Sequence, residues 1–173
     1  MTYRILIAYA SKYGATAEIA REIGKVLSES GLKVNVLAAD KVTDVTPFDA
    51  VVLGSAVYAG SWRQEAVQFL EDYQVPLTKI PIWLFSSGPM GAGDPVTLAH
   101  GWHFPSAQLP VANHIHARDI ALFNGVLDMD KLNFVEKQVI KEFQSASGDF
   151  RDWKAIHNWA VSIAVSLRPE VAE

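Results

Sequence analysis

The first thirty residues constrain the fold more than any other part of the chain. They join a nearly apolar run, Arg4–Ala10, to a short loop of hydroxyls around one glycine, Ser11–Thr16. Apolar residues then recur at helical spacing, which predicts a helix over Thr16–Glu29. An apolar strand is typical of a sheet that is covered on both faces. The chain is therefore predicted to begin with a buried parallel strand that leads into a helix.

The loop between this strand and helix has the features of a phosphate site. The first backbone N–H groups of a helix lack intrahelical partners, and the helix dipole favours an anion beside them. Ser11 and Thr16 add hydroxyl donors, and Gly14 permits positive φ and a close backbone approach. The alternative is that Ser11 and Thr16 merely cap the helix. The loop follows the first strand of an α/β chain, and this position favours the phosphate site over simple capping.

Composition excludes several classes of function. A net charge of −4 and a pI near 5.7 argue against nucleic-acid binding, which usually needs a basic face. The absence of cysteine removes disulfides, thiolate catalysis and iron–sulfur clusters, so a redox role needs a bound cofactor. No signal-peptide pattern and no apolar run of about 18 residues is present. We expect a cytoplasmic protein and leave peripheral membrane contact open.

Further strands and helices alternate along the 173 residues, which we expect to form a single domain. A further helix is predicted over Gln64–Tyr73. The strands predicted after the first are Lys33–Ala38, Ala50–Ser55, Pro81–Ser86 and Ile120–Phe123. Right-handed crossovers between parallel strands favour a five-stranded sheet in the order 2-1-3-4-5. In such a sheet, ligands bind beyond the carboxyl ends of the strands.

Three unusual loops follow the strands that meet at this edge. They are Ser11–Thr16, Ser55–Trp62 and Ser86–Gly93. The second offers Tyr58 and Trp62 to cover a flat ring, and the third offers glycine-rich backbone for the edge of a heterocycle. Tyr58 and Trp62 could instead be ordinary packing residues. Together the loops suit an aromatic cofactor with a phosphate tail.

The sequence Ser11–Thr16 resembles the phosphate motif of the flavodoxin family, and the resemblance extends through the element order, the second loop and Phe85–Pro89. It implies a flavodoxin-like three-layer α/β sandwich that binds FMN and transfers electrons. The cofactor-binding residues that it implies are Ser11, Lys12, Tyr13, Gly14, Ala15 and Thr16 at the phosphate, and Ser55, Ala56, Val57, Tyr58, Ala59, Gly60, Ser87, Gly88, Pro89, Met90, Gly91 and Gly93 around the ring.

Within that family, the chain resembles the group that contains menaquinone-dependent protoporphyrinogen IX dehydrogenase. The group carries an extra segment after the last strand, which is Asp128–Phe150 here. Leu132, Val135, Val139 and Phe143 lie on one face of a predicted helix in this segment. That face either packs on the core or contacts a quinone, a porphyrin or a membrane. The resemblance implies a redox partner protein or quinone as acceptor and a porphyrinogen as a substrate.

Other side chains suggest no catalytic site. His114 and His116 would share a face if their segment were extended. The histidines do not have the spacing of a metal site, so we expect no bound metal. Trp153, Ile156, Ala160, Ile163 and Leu167 form a helical stripe that is predicted to be core.

Two other functions are known for such folds, but this chain lacks the residues that they require. A phosphoacceptor domain needs carboxylates at the ends of strands 1 and 3, and none is present there. A P-loop hydrolase needs a loop that ends in Gly-Lys-Ser/Thr, which is also absent. The remaining alternative is an interaction or regulatory module without redox activity.

Overall fold

The computed structural model describes residues 2–142 and 147–168. Its strands, in chain order, are β1 (Arg4–Ala10), β2 (Lys33–Ala38), β3 (Ala50–Tyr58), β4 (Ser61–Trp62), β5 (Ile82–Ser87), β6 (Asp119–Phe123), β7 (Val126–Leu127) and β8 (Gly148–Asp149). Five parallel strands form the main sheet in the order β2-β1-β3-β5-β6. This is the predicted 2-1-3-4-5 order, because β4 pairs only with β3 and shifts the later numbers.

The helices, in chain order, are α1 (Ala15–Glu29), α2 (Gln64–Asp72), α3 (Gln74–Leu77), α4 (Pro95–Leu98), α5 (Leu109–His114), α6 (Phe134–Glu142) and α7 (Trp153–Ser166). Three of them, α1, α2 and α7, match the predicted helices to within one residue at each end. Within the described residues, none of these helices is long and apolar enough to cross a membrane.

Two apolar clusters separate the three layers of the fold. Alternate residues of β1 point to opposite faces of the sheet, so Ile5 and Ile7 pack against α1 and α7. Leu6 and Ala8 join the other cluster, which contains Phe69 of α2. Since both faces of the central strands are covered, an apolar sequence such as that of β1 is what the architecture requires.

The chain after β3 makes a hairpin that the sequence analysis did not predict. β3 continues through Tyr58, three residues beyond the predicted end, and pairs antiparallel with β4. The two residues of the turn, Ala59 and Gly60, have φ of 49° and 74°. Positive φ at both positions is the geometry of the two-residue turn that best fits twisted strands.

One expectation about a side chain is wrong, and the condition set for a pair of histidines is not met. Trp153 is 39% exposed rather than core, because it is the first residue of α7 and its ring packs beside the guanidinium of Arg151, 4.6 Å away. His114 and His116 do not share an extended face: His114 ends α5, and His116 has φ of 54° in the turn that follows.

Candidate functional site

The loop after β1 leaves the start of α1 without a side-chain cap. Gly14 is the N-cap residue with φ of 94°, and no side chain accepts a hydrogen bond as its cap. The first backbone bond runs from Glu18 N–H to Gly14 O at 3.0 Å. The N–H groups of Ala15 and Thr16 therefore precede the ladder and remain suited to an anion.

Ser11 shapes this loop instead of capping the helix. Its Oγ accepts a hydrogen bond from the Gly14 N–H at 3.0 Å, which closes the turn ahead of α1. A serine hydroxyl has one donor and two acceptor sites, so this bond leaves its proton free for a ligand. The structure thus gives Ser11 a local role that is compatible with the predicted one.

Thr16 joins the first loop to the third. Its Oγ1 lies 2.9 Å from Ser87 Oγ, and both side chains are buried. Buried hydroxyls need partners, so this pair fixes the spacing between the end of β5 and the start of α1. The Thr16 hydroxyl is therefore a structural link, with little of its surface facing the site.

The second loop separates into a buried half and an exposed half. Ser55 Oγ donates to Ala56 O at 2.8 Å and accepts from Arg63 N–H at 3.0 Å. Trp62 is only 5% exposed, and its Nε1 donates to Ser86 Oγ at 2.7 Å. Its ring therefore packs in the core, which is the packing alternative that the sequence analysis left open, whereas Tyr58 is 43% exposed and lines the cavity described below.

The third loop is held by backbone contacts and by Asn124. A Cβ on Gly88 would lie 3.1 Å from Val57 Cβ, so the close approach of the second and third loops leaves little room there. Asn124 Nδ2 donates to Gly91 O and Gly93 O at 3.0 and 3.1 Å. The predicted glycine-rich backbone thus bonds to the protein itself, and Met90 is the member of this loop that lines the cavity.

A cavity of about 430 Å³ opens where the first two loops meet the extra segment. The extra segment, residues 128–150, is called the strap below, and its residues 143–146 lie outside the described part. The lining of the cavity includes charged side chains, among them Glu18, Glu136 and Arg151, and apolar ones that include Val57, Tyr58, Met90, Leu132 and Val135. Its size and mixed lining are those of a small-molecule site.

The strap contacts the first loop mainly through polar groups. Glu136 accepts hydrogen bonds from Tyr13 Oη at 2.6 Å and from Lys12 Nζ at 2.9 Å. Lys131 Nζ donates to Tyr13 O at 3.4 Å. No residue of α6 is buried, and Phe134 is 76% exposed, so this helix does not pack on the core as one interpretation of its sequence proposed. Phe143, predicted to share its apolar face, lies outside the described residues.

Arg151, just after the strap, makes a second connection to α1. Its side chain is 7% exposed, and its Nη1 donates to Ala15 O at 3.1 Å and to Glu18 Oε2 at 2.6 Å. Its Nε and Nη2 bind the carboxylate of Asp149 at 2.9 and 2.7 Å. The guanidinium therefore joins the β7–β8 pair to the first turn of α1.

Lys12 and Glu136, beside the first loop, stabilise each other in their ionised forms. Interactions with Tyr13 and with Glu136 raise the pKa of Lys12 to about 12. The hydrogen bonds from Tyr13 and Lys12 lower the pKa of the Glu136 carboxyl. Burial, in contrast, raises the pKa of the Tyr58 phenol. At neutral pH a carboxylate and an ammonium therefore lie together beside the first loop.

The structure brings together only part of the predicted set. Six members line the cavity: Tyr13, Ala15, Val57, Tyr58, Ala59 and Met90. Four are buried: Thr16, Ser55, Ala56 and Ser87. The others shape or flank the loops: Ser11, Lys12, Gly14, Gly60, Gly88, Pro89, Gly91 and Gly93. Within residues 2–142 and 147–168, no group of acidic, histidine or cysteine side chains has the arrangement of a metal site.

Sequence reasoning gave no role to several polar residues at or near the cavity, among them Glu18, Asn124, Glu136 and Arg151. Glu136 was visible only as a polar residue on an amphipathic helix. Asn124 directly follows β6, the last of the five parallel strands. A polar residue at the carboxyl end of a parallel strand is the one sequence signal that could have identified it. Nothing in the sequence pattern joins Arg151 to α1.

Comparison with known protein families gives one match: a model described as flavodoxin domain covers residues 6–154. No curated protein sequence matches the chain.

Several solved structures share the fold. Oxidised flavodoxin 1 from Bacillus cereus aligns over 96% of this chain and 99% of its own, with 14% identity and a TM-score of 0.61. Flavodoxin 2 from the same organism aligns over 95% and 99%, with 20% identity and a TM-score of 0.59. Rubredoxin oxygen:oxidoreductase from Desulfovibrio gigas matches 98% of this chain with 37% of its own, at 12% identity and a TM-score of 0.61.

Proposed function

The chain belongs to the flavodoxin domain family, and from that premise we propose that it binds FMN and transfers electrons. The observation that carries the proposal is the uncapped start of α1, which opens beside a cavity with apolar walls. A phosphate fits the first feature and a flat ring fits the second. The residues present therefore fit FMN.

The phosphate end is proposed to use backbone donors first. The N–H groups of Ala15 and Thr16 precede the helical ladder, and Gly14 has no Cβ to obstruct an approaching oxygen. Ser11 keeps a free hydroxyl proton, which can be donated to a phosphate oxygen. Lys12 and Tyr13 complete the predicted set with an ammonium and a phenol.

The ring is proposed to lie between the second and third loops. Tyr58 and Met90 are partly exposed and line the same cavity, so each can cover apolar ring surface. The buried hydroxyls of Ser55 and Ser87 hold the loops in place without touching a ligand themselves. FMN, when bound, supplies one- or two-electron transfer, and the chain contributes binding, orientation and electrostatics.

A narrower proposal concerns the electron acceptor and the substrate. The strap presents exposed apolar side chains beside the cavity, among them Phe134 and Val135. Together with the resemblance to the protoporphyrinogen dehydrogenase group, this supports a quinone acceptor, a porphyrinogen substrate and contact with a membrane surface. The test follows porphyrin fluorescence anaerobically with a menaquinone analogue, and absence of porphyrin formation would remove this activity while leaving FMN binding intact.

The alternative function is a flavodoxin-fold interaction module that binds no flavin. The two proposals differ in one observable, the visible absorbance of the purified protein after incubation with FMN and removal of free ligand. A flavin band in about one equivalent per chain supports redox function, since a single FMN site is proposed. A colourless protein favours the interaction module.

A further inference from the structure

At the proposed phosphate end of the cavity, the chain places a carboxylate of its own, that of Glu136. Glu136 of the strap accepts from Tyr13 Oη at 2.6 Å and from Lys12 Nζ at 2.9 Å. Both donors precede Gly14 directly, so they flank the uncapped start of α1. The cationic and phenolic side chains of the first loop are therefore engaged by a carboxylate.

A phosphate group that bound here would lie close to the Glu136 carboxylate. Tyr13, Ala15 and Glu136 line one cavity, and the free N–H groups of α1 begin at Ala15. A flavin phosphate carries a charge of about −1.5 to −2 at pH 7. Like charges repel, and the single proton of the Tyr13 hydroxyl cannot be donated fully to both anions. Phosphate and Glu136 thus compete for the same donors.

We propose that Glu136 is a specificity-determining residue that competes with the flavin phosphate for Lys12 and Tyr13 and thereby sets how strongly the site prefers FMN over riboflavin. This inference rests on the proposed FMN site. When the phosphate binds, the two loop side chains turn to its oxygens, and the Glu136 carboxylate moves towards solvent.

The strap is built to permit this exchange. No residue of α6 is buried, so little apolar packing opposes a displacement of Glu136. The far end of the strap is held separately, because Arg151 binds Asp149, Glu18 and Ala15 O. Movement can therefore be confined to α6 while the β7–β8 pair keeps its place.

The test compares the affinities of FMN and riboflavin for the parent protein, for Glu136→Gln and for Glu142→Gln. Glu142 is exposed on the same helix, so its substitution removes an equal charge away from the loop. We expect Glu136→Gln to tighten FMN binding about fivefold, as for one partly exposed charge interaction, and to leave riboflavin unchanged. Glu142→Gln is expected to match the parent with both flavins.

Other outcomes overturn the inference in distinguishable ways. If Glu136→Gln weakens FMN, or shifts both flavins equally, Glu136 only fastens the strap. If Glu142→Gln tightens FMN binding as much as Glu136→Gln does, the long-range charge of the helix is the cause. If neither variant changes FMN affinity, Glu136 does not compete with the phosphate. If the parent binds neither flavin, the proposed function fails and the inference fails with it.

Limited trypsin digestion provides a readout that does not depend on affinity. Lys137 and Lys141 lie on α6, where cleavage reports opening of the strap. FMN and inorganic phosphate are expected to speed cleavage there in the parent, whereas riboflavin is not. Glu136→Gln is expected to be cleaved fast without ligand. Equal cleavage rates in all of these samples would contradict displacement of the strap.

Discussion

The three loops at the carboxyl edge of the sheet and the strap line the same cavity, yet they are held in different ways. The loops are fixed by buried groups, such as the Thr16–Ser87 hydroxyl pair and the bond from Trp62 to Ser86. The strap buries no residue of α6 and is fastened near the first loop by partly exposed charges. Substitution of the buried loop residues should therefore change stability, whereas substitution of Glu136 in the strap should change ligand selection.

Phe85 and Phe134 give the largest contrast, because the same residue type lies in β5, which leads into the third loop, and on α6 of the strap. Phe85 is fully buried, and its ring packs against those of Phe123 and Trp159. Phe85→Ala is expected to lower the free energy of unfolding by about 3–5 kcal/mol, since it removes a buried ring and leaves a cavity. Urea denaturation followed by circular dichroism measures this loss.

Thr16→Ala should have the next largest effect. It leaves the buried Ser87 hydroxyl without its partner, and an unsatisfied buried group costs about 1–3 kcal/mol. The same denaturation experiment checks the loss, and Thr16→Ser is the control that restores the hydroxyl. If Thr16→Ala unfolds at the same urea concentration as the parent, the two loops are not held together by this pair.

Ser11→Ala should act on the ligand more than on the fold. The substitution removes both the acceptor for Gly14 N–H and a hydroxyl proton that is proposed to be donated to the phosphate. We expect FMN affinity to fall about tenfold, as for a lost bond to a charged group, and riboflavin affinity to change far less. Fluorescence titration measures both.

The matched control for this titration is Ser28→Ala, which removes an exposed hydroxyl near the other end of α1. Parent-like binding of FMN by Ser11→Ala would leave its hydroxyl with only the role of closing the turn.

Phe134→Ala should have the smallest effect on stability. Its side chain is 76% exposed on α6, so truncation is expected to change the free energy of unfolding by less than about 0.5 kcal/mol. A loss comparable to that of Phe85→Ala would mean that the strap packs as core and would erase the contrast between the two regions.

The sequence predicted those parts of the fold that repeat one physical rule over many residues. Apolar runs identified all five parallel strands of the main sheet, and the helical spacing of Ile19 and Ile23 identified α1. The β3–β4 hairpin was missed because Ala59 offers no sign of the positive φ that it adopts. Trp153 was misplaced because its helical spacing continues that of the core stripe, although it lies at the exposed start of α7.

The candidate site was predictable only where local order in the chain decides the geometry. The uncapped start of α1 follows from a glycine between a strand and a helix, so the first loop could be found from sequence. The engagement of Lys12 by Glu136 joins residues 124 positions apart, and no pattern in the sequence records it. The Trp62 ring was offered as a cover, but the hydrogen bond from its indole to Ser86 anchors it in the core.

The most direct test of the central claim is a calorimetric titration of the cofactor-free parent protein with FMN and with riboflavin. The account predicts saturable binding of about one FMN per chain, because the uncapped start of α1 and the apolar cavity are proposed to form one site. It also predicts that FMN binds at least about tenfold more tightly than riboflavin, since only FMN presents a charged group to these donors. Equal affinity for the two flavins, or no saturable binding of FMN, would contradict the account.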